Sequence, residues 1–377
     1  MDVLTFLLTY AVPFLVVLTV LVFFHELGHY AVARRNRVRV EVFSIGFGPE
    51  LFGWSDRFGT RWKFSAIPLG GYVRMFGDAD VSGTPGAEVG AMTEAERAVS
   101  FHHKRVGQRA AVVAAGPIAN FLLAIVIYAG LFAVAGQPFT PPVVREVVAG
   151  TPAARAGLQA GDEVVRIEGQ AIERFEAIQR LVQLNLDGPL EIVVRRDGSE
   201  VRLVATPIVI DETDWLGNRV RVARLGIRGV AASYVRHPVH VAAWRAVEET
   251  YVQTVGTLQA LGQMILGRRS SSELGGPIRI AQMSGEVARA GIASLLVFMA
   301  VLSINLGLIN LFPIPLLDGG HLLYYFIEAL RGRPLTLRTQ EYGFRIGLAL
   351  VLGLMMFATW NDLVHLPIVA YLVGLVS

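Results

Sequence analysis

Two histidines and a glutamate near the N-terminus have the types and spacing needed for metal-dependent hydrolysis. They lie in the stretch Phe24-His25-Glu26-Leu27-Gly28-His29. Residues four apart share one face of a helix, so the imidazoles of His25 and His29 can reach the same metal ion. Glu26 is then placed to act as general base toward a water on that metal. The alternative for this pattern is a histidine pair held by hydrogen bonds in a protein core.

The position of the stretch favours the metal site. The run from Val3 to Phe24 carries no charge, and about 20 apolar residues are enough to cross a membrane. Ionisable residues at the end of such a span are costly and indicate function.

Asp318 is the candidate for a third ligand. It follows Pro313 and Pro315, which break the helix at the end of a later apolar run. Three protein ligands plus a water make an open, catalytic zinc site. Because the chain has no cysteine, those ligands must be histidine, aspartate or glutamate. Taken alone, Asp318 could instead cap a helix over His321–Leu330.

The composition of the chain indicates a membrane protein. Hydrophobic residues make up 53% of the 377 residues and charged residues 17%, whereas soluble proteins average about 25% charged. The net charge of +3 argues against a nucleic-acid partner. The first apolar run lacks a basic leader, so we expect an uncleaved span rather than a signal peptide.

Four apolar runs predict four spans: Val3–Phe24, Ala110–Ala135, Ile292–Phe312 and Ile346–Trp360. Basic residues cluster between the first and second runs and between the third and fourth. The positive-inside rule makes these connections cytoplasmic, with both termini and residues 137–290 outside. The first and third spans then run in the same direction, so His25, His29 and Asp318 come within reach of one another.

Residues 140–232 differ in character and predict a small α+β module. Strands are expected at Pro142–Val147, Val164–Ile167, Leu190–Arg195 and Val201–Ala205, with a helix over Glu173–Leu184. The run from Thr151 to Gly169 resembles a PDZ domain. Leu225, Gly226 and Ile227 resemble the loop with which such a domain captures a peptide carboxylate, although they could simply end a strand.

Several other segments allow two interpretations. Gly70, Gly71 and Tyr72 form the bend of an expected hairpin over Ile67–Met75, which is either an ordinary loop or an edge that pairs with an extended substrate. Ala115 and Gly116 favour close helix packing, and Asn120 either packs there or orients the metal site. The remaining histidines are expected to be interfacial or structural rather than ligands: His102, His103, His237, His240, His321 and His365.

The two motifs together resemble the site-2 protease family of intramembrane zinc metalloproteases. The resemblance covers nearly the whole chain, and its order is similar to the bacterial regulator-of-sigma-E protease branch. It implies one zinc ion held by His25, His29 and Asp318, with Glu26 as catalytic base. It also implies that Asn310 and the hairpin at Gly70–Tyr72 hold an unwound substrate. The best-known members of that branch carry two PDZ modules where this sequence has one, which leaves open how substrates are screened by size.

The expected fold is a polytopic α-helical membrane protein with an inserted PDZ domain and a membrane-associated β-hairpin. We divide it into an N-terminal membrane part (1–136), an extracytoplasmic PDZ domain (137–232), amphipathic connecting helices (233–290) and a C-terminal membrane part (291–377). The resemblance places it in the bacterial inner membrane, with the active site toward the cytoplasm.

The expected activity is hydrolysis of peptide bonds within transmembrane segments. The substrates implied are single-span membrane proteins already cut on the outer side, such as a tethered anti-sigma factor or signal-peptide remnants. The partners are therefore the lipid bilayer, these substrates and a peptide C-terminus at the PDZ domain. Two rivals stay open at this point: a membrane-anchored PDZ adaptor with a vestigial metal site, and a metal or proton transporter.

Overall fold

The computed structural model describes residues 7–79, 86–185, 188–213, 219–231, 233–268 and 275–364. The helices are α1 (Val12–Arg35), α2 (Glu94–Val99), α3 (Val106–Val134), α4 (Pro152–Arg155), α5 (Phe175–Leu184), α6 (Val239–Ile265), α7 (Pro277–Arg289), α8 (Ile292–Leu311), α9 (Asp318–Arg331) and α10 (Leu337–Val364). The strands are β1 (Val40–Ser55), β2 (Arg61–Met75), β3 (Gln137–Phe139), β4 (Val144–Val147), β5 (Glu163–Ile167), β6 (Gln170–Ala171), β7 (Leu190–Arg196), β8 (Ser199–Ala205), β9 (Ile208–Thr213), β10 (Arg219–Arg224), β11 (Ile227–Gly229) and β12 (Ser233–Val235). The two chain ends, including His365, lie outside the described residues.

Within the described residues, four helical segments are long and apolar enough to cross a membrane. They are Leu7–Arg35, Val106–Val134, Ile292–Leu311 and Arg338–Val364. The predicted number of spans is confirmed, but two of the predicted segments are shorter than the helices that contain them. The first helix continues past Phe24 to Arg35, and the fourth begins well before Ile346. Hydropathy marks where the chain leaves lipid, whereas a helix continues for as long as its backbone bonds are made.

One compact unit is formed by the described residues of Met1–Tyr128 and Gly276–Trp360. Its membrane core joins α1, α3 and α8 through Val17, Leu21, Leu123 and Met299. α1 and α3 approach very closely at Gly28, where an added Cβ would lie 2.8 Å from Ala119 Cβ. Small residues permit this approach, as the sequence predicts.

The β-hairpin is formed by β1 and β2, which are joined by a turn at residues 56–60. The predicted limits Ile67–Met75 were wrong, because that stretch lies within the single strand β2 and pairs with β1. Both strands bend, so residues 42–45 of β1 pair with 61–64 of β2 on one side and with 71–74 on the other. The bend in β2 that precedes residues 71–74 occurs at Gly70, whose φ of 108° suits glycine. Val38, Val40 and Met75 pack with Ala33 and Val112, which fixes the sheet to α1 and α3.

The second compact unit comprises the described residues of Ala129–Gly275 and Asn361–Ser377. It holds a four-stranded sheet in the order β6-β5-β7-β8, a β4–β11 pair and the helix α5. Val144, Ile167, Ile178 and Ile192 are fully buried in a single core. The predicted strands and helix are all present within two residues of their expected limits, and the unit carries the PDZ domain expected from the sequence.

An amphipathic helix follows this domain in the same unit. α6 lies within the segment 233–290, for which amphipathic helices are predicted. It buries Ala242 and Ala246 and exposes Trp244 and Tyr251. Arg174, just before α5, binds Glu249 of α6 at 2.5 Å. The proposed division at residues 137, 233 and 291 stays a prediction.

Candidate metal centre

His25, His29 and Asp318 come together as a cluster of three candidate metal ligands. His25 Nε2 lies 3.2 Å from His29 Nε2 and 3.2 Å from Asp318 Oδ2. His29 Nε2 lies 3.5 Å from the same carboxylate oxygen. Zinc–ligand bonds of about 2.0–2.1 Å at tetrahedral angles separate neighbouring ligand atoms by about 3.3 Å. The three donor atoms are therefore spaced as a zinc ion requires.

Two further observations fit a metal at this place. Asp318 Oδ2 is buried without a hydrogen-bond donor, which is costly for a carboxylate unless a cation neutralises it. Gly116 of α3 lies directly against the two imidazoles, where an added Cβ would lie 2.9 Å from His25 Cε1 and closer still to His29 Nε2. Burial opposes ionisation of Asp318, but the adjacent His29 and His25 hold its pKa well below the ordinary value.

The first two candidate ligands, His25 and His29, are placed by α1 and its contact with α3. Their spacing of four residues puts both rings on one face of α1. His29 Nδ1 lies 2.9 Å from the backbone oxygen of Val112 on α3. A carbonyl can only accept, so Nδ1 donates and the His29 Nε2 lone pair is available to a metal.

Asp318 is placed by a tight loop between α8 and α9. It is the first residue of α9, and Leu316 just before it has a φ of 102°. This conformation is strained for a residue other than glycine, so the surroundings must hold it. Gly319 and Gly320 allow the loop to lie against the start of α9, since a Cβ on either would meet the backbone of residues 311–315.

α9 is also fixed at its far end by a buried ion pair. Arg109 Nη2 of α3 lies 2.5 Å from Glu328 Oε1, and its guanidinium lies 4.8 Å from the centre of the Tyr325 ring. Burial raises the pKa of Tyr325 to about 12, so it is neutral at physiological pH. The helix that carries Asp318, the third candidate ligand, is thereby attached to the helix that contacts His25 and His29.

Glu26 lies beside the cluster and against the sheet. Its carboxylate lies near the Val73 backbone N–H of β2. A Cβ on Gly71 would lie 3.4 Å from Glu26 Cγ and 2.7 Å from the backbone oxygen of Ser44. The bend at Gly70–Tyr72 therefore brings residues 71–74 of β2 next to Glu26, the candidate general base.

The sequence matches a known family along most of its length. The model of Peptidase family M50 matches residues 13–354. The chain belongs to this family. A protein of Agrobacterium fabrum named a putative zinc metalloprotease is 46% identical over 363 residues, which cover 95% of this chain and 96% of the relative. The metalloprotease MmpA of Caulobacter vibrioides is 39% identical over 388 residues, covering 97% of this chain and 98% of the relative.

As an M50 peptidase, of the site-2 protease type, the protein is a zinc metalloprotease and a multi-pass membrane protein. This excludes the adaptor and transporter interpretations of its activity. A solved PDZ domain of an SdrC-like protein from Listeria monocytogenes is 19% identical, covers 24% of this chain and 90% of its own length, and has a TM-score of 0.20. Our description of the PDZ domain depends on its strands and helices rather than on this match.

The other predicted residues of the M50 peptidase lie in several places. Asn310 is half-buried near the end of α8, and no hydrogen bond to its side chain exists within the described part of the chain. Leu225, Gly226 and Ile227 line a cavity in the second unit. His102 Nε2 lies 2.9 Å from Asp78 Oδ1, outside the ligand cluster, and His237 Nε2 lies 3.1 Å from Gln137 Oε1.

The sequence predicts helix packing for Gly116 but does not indicate its contact with both candidate ligands, His25 and His29. It also does not indicate that Arg109 anchors α9. For Gly116 the available sequence signal is its position four residues before Asn120, which puts the two residues on one helix face.

Proposed function

We propose that the protein hydrolyses peptide bonds within transmembrane segments, with a zinc ion held by His25, His29 and Asp318. The observation that carries the proposal is the three-ligand cluster with Glu26 beside it, on helices that are apolar enough to lie in lipid. Zinc bound there supplies Lewis acidity, which lowers the pKa of a water to about 7 and polarises a peptide carbonyl.

Glu26 accepts the proton from the attacking water and passes it to the leaving amide nitrogen. Gly71 lies directly beside this side chain, because a Cβ added there would be in van der Waals contact with Glu26 Cγ. The location of Glu26 beside the ligand cluster, in the turn between His25 and His29, suits this role.

The substrate must be extended before it can be cut, because a helix hides its carbonyls in internal hydrogen bonds. We propose that residues 71–75 of β2 hold it. This segment has a strand neighbour on one side only among the described strands, so its other edge can pair with an unwound peptide. The amide of Asn310 is proposed to bind the same peptide through a backbone group.

The PDZ domain is proposed to bind a peptide C-terminus and to gate access. Its cavity of about 500 Å³ lies between α5 and the segment Arg224–Arg228, with Phe175, Ile178 and Val182 on one wall and Leu225–Ile227 on the other. Apolar side chains suit an apolar terminal residue, and the loop amides suit its carboxylate. The domain would exclude substrates whose outer domain is still attached.

We propose the bacterial inner membrane as the location, with both termini and the PDZ domain outside and the active site toward the cytoplasm. The arginines between spans support this topology. The substrates are single-span membrane proteins already cut on the outer side, including tethered anti-sigma factors and signal-peptide remnants.

A cleavage assay with purified full-length protein tests the proposal. A single-span substrate is presented in detergent to wild-type protein, to wild-type protein stripped by a chelator, and to Asp318→Ala. We expect cleavage within the span only in the first, restored to the stripped sample by added zinc. Cleavage by Asp318→Ala at the wild-type rate would contradict the ligand assignment.

Gating is tested with a matched pair of substrates in lipid vesicles. One carries a folded outer domain and the other ends a few residues beyond the span. We expect the short substrate to be cut faster, and equal rates would contradict the gate.

A further inference from the structure

Asn120 of α3 is fully buried against the first ligand and has an unmet hydrogen bond. Its Nδ2 lies 3.1 Å from His25 Nδ1, while its Oδ1 is buried without a partner. Its backbone oxygen accepts a hydrogen bond from Ser303 Oγ of α8 at 2.8 Å. Burying an amide oxygen with no partner is unfavourable, so a partner is to be expected when the site is in use.

The two ligand histidines differ in what holds their second nitrogen. The Val112 carbonyl beside His29 can only accept, which fixes the proton on Nδ1. The amide of Asn120 can either donate or accept. If His25 presents Nε2 to a metal, its Nδ1 carries the proton and needs an acceptor.

A half-turn of the Asn120 amide meets both needs. It replaces Nδ2 by Oδ1 opposite His25 Nδ1, so the orphaned oxygen accepts the Nδ1 proton. The rotation keeps the amide in its place between α1 and α8, because Gly307 of α8 lies close to Asn120 Cβ.

We propose that Asn120 is a positioning residue, whose Oδ1 accepts the His25 Nδ1 proton and so presents His25 Nε2 to the zinc ion. The inference depends on the proposed ligand set. Both histidines would then donate a hydrogen bond from Nδ1: His29 to the Val112 backbone carbonyl and His25 to the Asn120 side chain. Partners of this kind contribute about 10–100-fold to metal affinity.

The test measures zinc affinity of the full-length protein by competition with a chelator. Asn120→Leu keeps the size but removes the acceptor, and we expect zinc binding to weaken by about 10–100-fold. Asn120→Asp keeps an accepting oxygen and loses the donor, so its affinity should stay within about threefold of wild type or rise. The matched control is Ser303→Ala, which removes the other side-chain bond to residue 120 and should leave affinity within about threefold.

Each variant is first compared with wild type for thermal unfolding without zinc, which separates positioning from folding. Zinc binding by Asn120→Leu as tight as wild type would overturn the inference, as would an equal loss in Asn120→Asp. Should Asn120→Asp not fold, Asn120→Leu and Asn120→Ala still decide the acceptor role, because wild-type affinity in either overturns it.

The same assay distinguishes this inference from the proposed function. If wild-type protein binds no zinc, or His25→Ala binds it unchanged, the ligand assignment itself fails. If His25→Ala loses zinc while Asn120→Leu keeps it, only the role of Asn120 fails.

Discussion

Replacing Gly116 by alanine should disable the metal site with a single methyl group. The new Cβ would lie 2.9 Å from His25 Cε1 and nearer still to His29 Nε2, whereas ordinary contact begins at 3.4 Å. His25 must therefore retreat by about 0.5 Å and His29 by more, against a tolerance of about 0.2 Å in metal–ligand distances. We expect zinc affinity to fall by about 100-fold or more, above the effect of losing an outer partner.

The matched control is Gly130→Ala in the same helix, where an added Cβ meets nothing within 4 Å. Both changes raise helix propensity by about 1 kcal/mol, so only the steric effect differs. Zinc affinity is measured by chelator competition and cleavage on the same samples. Wild-type zinc affinity in Gly116→Ala would refute the reasoning, because it would mean that the imidazoles are not held where the structure puts them.

Three further predictions concern the loop between α8 and α9, which precedes Asp318, and the PDZ domain. In Gly347→Ala an added Cβ would meet the Pro315 backbone, 3.2 Å from its Cα and closer to its oxygen, whereas at Gly353 of the same helix it meets nothing. We expect Gly347→Ala, but not Gly353→Ala, to weaken zinc binding by about tenfold, and equal affinities would contradict this. Burial opposes ionisation of Asp162, but bonds from Arg196 at 2.7 Å and from the Gln159 N–H hold its pKa below the ordinary value. The ionised Asp162 therefore contributes to stability above about pH 4, and this contribution is lost as the pH falls through the folded-state pKa. Asp162→Asn should remove the pH dependence of hydrogen-exchange protection in β5 and β7. An unchanged pH dependence in this variant would contradict the prediction. Gly226 has a φ of 85° and no room for a Cβ beside Thr151, so Gly226→Val should abolish binding of a fluorescent peptide with a free apolar C-terminus, and retained binding would remove this loop from the peptide site.

The candidate catalytic residues could be found from the sequence because their signals are local. His25 and His29 are four residues apart, and Glu26 lies between them. Asp318 was harder, since nothing in its neighbourhood points to residue 25. Its approach to His25 and His29 followed from the direction of the spans and from the resemblance of the two motifs to the site-2 protease family.

The contacts around these residues could not be predicted, because α1, α3 and α8 are apolar on nearly all sides. A uniformly apolar helix has no periodic pattern to indicate which face meets a neighbour. Gly116 approaches both imidazoles, and Asn120 approaches His25, only because α3 is rotated so that this face meets α1. The sequence pattern does not indicate that rotation. The sheet of β1 and β2 was also beyond prediction, because its bends let one segment pair on two sides.

The predicted limits of the spans were wrong for a different reason. Hydropathy at residues 338–345 is lowered by Arg338, Glu341 and Arg345, yet the helix runs through them. Arg345 and Glu341 form an ion pair one turn apart at 2.6 Å, which suits an exposed helix surface. Charges there mark the edge of the lipid rather than the end of the helix.

The most direct test of the account is the Glu26→Gln variant, with bound zinc and cleavage of a transmembrane substrate measured on one purified sample. The change keeps the size of the side chain and removes its ability to accept a proton, while His25, His29 and Asp318 stay intact. We predict one zinc ion per chain and no cleavage. Cleavage at the wild-type rate would contradict the role of Glu26 as general base, and loss of zinc would show that Glu26 belongs to the ligand set instead.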